Sequence, residues 1–160
     1  MEENQNSIGY MDLKDFIYIQ HNELDDDFCN EVIDKYEDDE NKYKSVIIEK
    51  EIKDNKISGN KVYQPYIRDS TSLSISGKDD WKQYDDVFKR SIVKNLGEYA
   101  TMLADTRKGI GLNPHDAYED IGYEIIKYEK GGFYQWHNDY DINLYHGVNV
   151  LCFIWHLNTL

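Results

Sequence analysis

Residues 128–139 read Tyr128-Glu129-Lys130-Gly131-Gly132-Phe133-Tyr134-Gln135-Trp136-His137-Asn138-Asp139. The Glu129-Lys130-Gly131-Gly132 stretch reads as a turn between two β-forming runs. Before it, residues 122–128 alternate as a strand. After it, residues 133–139 are expected to form a second strand that runs into polar loop residues. On a strand, residues two apart project to one face. His137 and Asp139 can then present an imidazole nitrogen and a carboxylate oxygen to one metal ion. A non-haem iron(II) oxygenase site needs two histidines and one carboxylate, with open positions for a co-substrate and dioxygen. A His-x-Asp pair alone also describes a surface histidine beside a solvated aspartate, so its surroundings decide between the two.

Working outward, residues 148–156 form a nearly continuous apolar run, as expected of a strand buried on both faces. Towards the N-terminus, residues 81–103 carry the longest helical signal, with Trp81, Tyr84, Phe88, Ile92, Leu96, Tyr99 and Leu103 among its apolar positions. Residues 67–75 read as a strand. Residues 42–64 read as a hairpin or irregular strand pair around Ser58-Gly59-Asn60. Phe28, Cys29, Val32, Ile33 and Tyr36 recur at helical spacing, with Asp25, Asp26 and Asp27 suiting the positive end of that helix's dipole. Residues 15–19 are rich in β-formers and read as a first strand. Residues 109–114 read as a loop, and residues 1–11 as a flexible tail before one domain, 12–160. The expected class is α+β.

The pattern Tyr-x-x-Gly…Tyr-x-x-His-x-Asp, with a later strand ending His156-Leu157-Asn158, resembles the prolyl 4-hydroxylase-like iron(II)/2-oxoglutarate-dependent dioxygenases. Asp15-Phe16-Ile17 followed by Leu24 and Phe28-Cys29, then Ile67-Arg68-Asp69-Ser70 and the helix over 81–103, are similar to that family's earlier elements. The resemblance implies a partial double-stranded β-helix, a jelly roll of the cupin-like kind, with supporting N-terminal helices. It implies Fe(II) and 2-oxoglutarate as cofactors, with ascorbate as an accessory reductant. His137 and Asp139 match the first two metal ligands. Tyr128 matches the tyrosine that helps hold 2-oxoglutarate, and Tyr134 a family aromatic near the site; its other reading is a packed strand residue. The implied reaction couples oxidative decarboxylation of 2-oxoglutarate to succinate with hydroxylation of a C–H bond, on a peptide or small-molecule substrate.

The chain departs from the family in three places. Asn149 and Cys152 stand where an arginine and a threonine are usual, and His156 stands where a tyrosine is usual. The family's distal histidine and its basic 2-oxoglutarate anchor would follow residue 160, so the catalytic core is expected to be incomplete. His146 and His156 are the candidate substitutes for the third ligand. His156 is also read as a half-buried structural histidine. His21 and His115 fall in turn-like contexts. An incomplete barrel would leave strand edges open to self-association. A non-catalytic binding domain derived from the same fold is the alternative.

Bulk properties bound the remainder. A formal charge of -13 repels phosphate backbones and acidic membrane surfaces, so neither nucleic acid nor membrane is an expected partner. Fourteen tyrosines argue for a packed core. Cys29 and Cys152 sit in apolar patterns and read as reduced core residues. No signal peptide or membrane-spanning run is visible, and a soluble, reducing, cytoplasmic setting is expected. The acidic runs 25–27 and 38–40 lack the ligand spacing of a calcium loop and read as solvated surface. A calcium-responsive protein is the third and weakest reading.

Overall fold

The computed structural model describes residues 13–53, 56–106, 119–137, 139, 142–143, 147–148 and 151–158. It combines helices with small antiparallel sheets, and no strands close into a barrel among the described residues. The chain divides into two compact units: residues 1–23 with 89–118, and residues 24–88 with 119–160.

The larger unit is built around helix α1 (Asp26–Asp38). Asp25 caps it, its carboxylate accepting from the Phe28 backbone N–H at 2.7 Å. That bond satisfies an amide the helix cannot satisfy itself, and Asp26 and Asp27 add negative charge where the dipole favours it. At the other end, Lys42 Nζ donates to the Tyr36 and Glu37 carbonyls at 2.8 and 2.6 Å. The helical spacing puts Cys29, Val32 and Tyr36 on one buried face.

That face packs on the central sheet, in the order β1 (Tyr43–Lys44), β5 (Thr71–Ser74), β6 (Glu124–Lys127). Thr71 pairs with Lys127 and Leu73 with Ile125. Alternation sends Leu73 into the core together with Ile75, just past the strand, where both are fully buried. Burial of such a side chain contributes about 1.5–3 kcal/mol. Trp81, Tyr84 and Phe88 close the core from the short 3-10 turn Asp79–Trp81 and the start of α2 (Lys82–Thr106). The Trp81 indole N–H reaches Asp39 at 2.8 Å. The opposite face of the sheet carries Ser72 and Glu124, which are polar.

Two further ribbons belong to this unit: β2 (Ile47–Lys53) with β3 (Lys56–Val62), and β4 (Arg68–Asp69) with β7 (Phe133–Tyr134). A short pair joins β8 (Ile142–Asn143) to β9 (Gly147–Val148). In the smaller unit, Lys94 pairs with Glu23 at 2.7 Å, and Tyr99 donates to the Phe16 carbonyl at 3.0 Å. The division between the units falls within α2.

Several expectations are corrected here. Residues 13–16 form a 3-10 turn rather than the start of a strand, and 17–20 are irregular, with Ile17 and Ile19 exposed. β-forming composition without a neighbouring strand to pair with does not make a strand. Ser58-Gly59-Asn60 is no turn. It lies inside β3 opposite Glu49, Lys50 and Glu51. A Cβ on Gly59 would meet Ile48 at 2.8 Å, so the glycine marks close approach. Residues 67–75 split at Ser70 into β4 and β5, which belong to different sheets. Residues 151–158 form no strand, contrary to the expected strand over 148–156, and are not buried on both faces. Leu151, Phe153, Trp155 and Leu157 are half-buried, while Ile154 is 72% exposed. Cys29 is buried as expected; Cys152 is exposed, not a core residue. The expected tail 1–11 and loop 109–114 lie outside the described residues. No helix is long and apolar enough to cross a membrane among the described residues.

Candidate metal centre at His137 and Asp139

The β4–β7 ribbon carries the candidate site. Arg68 pairs with Tyr134 and Asp69 with Phe133. Gly132 makes the approach possible, because a Cβ there would meet the Asp69 carbonyl at 2.8 Å. Beyond Tyr134 the strand ends, with a bend at Trp136. His137 and Asp139 therefore do not sit on a strand, contrary to the alternation argument. Gln135 does the positioning instead. Its backbone N–H donates to the Ile67 carbonyl at 2.9 Å, and its side-chain amide donates to the Tyr66 carbonyl at 2.9 Å.

The Gln135 carbonyl lies 2.8 Å from His137 Nδ1. A carbonyl can only accept, so Nδ1 carries the proton and a neutral ring keeps its lone pair on Nε2. Nε2 faces Asp139 Oδ1 at 3.4 Å. A lone pair facing a carboxylate is repulsive unless a cation, either a proton or a metal ion, joins them. Two ligands at right angles, each about 2.1 Å from one ion, stand about 3 Å apart. The observed separation is close to that value. Tying the second imidazole nitrogen to a backbone carbonyl is how metal-bound histidines are commonly oriented. The two side chains are thus spaced so that one cation could lie between them, and both are open to solvent.

Tyr134 lies behind the imidazole, ring centroids 3.6 Å apart and planes at 20°. On its other side, Arg68 Cζ stands 4.8 Å from the Tyr134 ring centre. Arg68 is buried. Its Nε donates to Ser70 Oγ at 3.1 Å and its Nη2 faces Glu124 at 3.7 Å. Ser45, Ser70 and Ser72 link their hydroxyls at 2.6 and 2.7 Å beneath it. Tyr43 donates to Glu124 at 2.5 Å, and burial together with that carboxylate pushes its phenol up to about 12. The polar face of the sheet is therefore a connected network that ends at His137.

The structure brings Tyr134, His137 and Asp139 together. Tyr128 is 44% exposed, just past β6, and the contacts that assemble the other three do not involve it. Strand alternation gives it the same face as Glu124. Partial burial of its sulfur and the nearby Asp139 carboxylate push the Cys152 thiol up. His156 is exposed rather than half-buried, and His21 lies exposed in a turn, as expected. His115, His146 and Asn149 lie outside the described residues. No group of three His, Cys, Asp or Glu side chains able to hold a metal occurs among the described residues. Arg68, Glu124 and the three serines were not singled out as site residues from sequence. The period-two repeat Ser70, Ser72, Ser74 is the signal that marks their strand as polar on one face. Comparison with protein-family models, with curated proteins and with solved structures finds no match to this chain.

Proposed function

We propose that this chain is an iron(II)- and 2-oxoglutarate-dependent hydroxylase of the prolyl 4-hydroxylase-like kind, or a segment of one, built on part of a jelly roll. The observation that carries the reading is the His137 imidazole. Its Nδ1–H is committed to the Gln135 carbonyl and its Nε2 is turned toward Asp139. His137 and Asp139 would hold the ion, which when bound activates dioxygen against the co-substrate. Asp139 offsets part of the ion's charge, and the neutral imidazole supplies a borderline donor. Tyr134 and Arg68 keep the ring in its plane from behind. Tyr128 supplies a hydroxyl on the same sheet face for the co-substrate.

The test is succinate release with added ferrous iron and 2-oxoglutarate, run beside a ferrous titration. Turnover that is lost in Asp139→Ala supports the reading. Turnover unchanged in that variant removes the carboxylate from its role. Tight iron binding without any succinate points to a non-catalytic binding domain. Absence of both ends the proposal.

A further inference from the structure

We draw no further inference here: the strongest candidate, the outward side of segment 151–158, where Cys152, Ile154 and His156 are exposed while Trp155 and Leu157 pack against the core, is a surface for which nothing in the structure shows what covers it.

Discussion

Tyr134 and His137 stack nearly face to face, with ring centroids 3.6 Å apart and planes inclined by 20°. The imidazole is therefore located by a ring behind it as well as by the Gln135 carbonyl at its edge. Replacing Tyr134 by alanine removes that backing and uncovers Arg68. Ferrous affinity is expected to fall about ten-fold, the scale typical of residues that orient a metal ligand. Tyr134→Phe should keep it. Iron titration of the two variants provides the check.

Arg68 performs several tasks with one planar group: a bond to Ser70, a face against Tyr134 and charge contact with Glu124. A lysine ammonium cannot reproduce that fork and plane. Arg68→Lys is expected to destabilise the fold by about 1–3 kcal/mol, as buried acceptors lose their donor. Urea denaturation would show this as a lower midpoint with an unchanged slope.

Asp39 accepts from the buried Trp81 indole and from Asn41. Partial burial acts to raise its pKa, but those hydrogen bonds outweigh it and hold the carboxyl at about 2 against an ordinary 3.8. The folded state then binds fewer protons than the unfolded one, so stability rises with pH across this interval. The contribution is complete above 3.8 and is lost as pH falls toward about 2. Denaturation followed from neutral pH downward should show a shallower acid loss in Asp39→Asn than in the parent.

Asp25 gives the sharpest local test of helix α1. Asp25→Ala leaves the Phe28 N–H without its acceptor and should cost about 1 kcal/mol, while Asp25→Ser should recover most of it. Thermal melts of both variants would measure the difference.

The helices were legible because their apolar spacing coincides with the faces they bury: Cys29, Val32 and Tyr36 on α1, and Trp81, Tyr84 and Phe88 at the start of the second. The Gly131-Gly132 turn was legible from its glycines. Strand limits were less so, because a strand exists only with a neighbour, and residues 15–19 carry the composition without one. The site divides in the same way. His137, Asp139 and Tyr134 are neighbours in sequence, although the first two lie past the end of β7, beyond a bend at Trp136, rather than on an alternating strand. Arg68 and Glu124 meet across the sheet from positions 56 residues apart, a relation no local pattern carries.

Among the described residues, the ribbon of β2 and β3 pairs only with itself, across seven residue pairs. Its amides can consequently open without disturbing the layer that shields Leu73 and Trp81. In deuterated solvent the ribbon should label early and in mild conditions, whereas β5, flanked by strands on both edges, should label only as the whole unit unfolds. The molecule thus carries an internal ladder of protection, its lowest rung attached directly to the chain that leads into β4 and its highest at the middle of the three-stranded sheet.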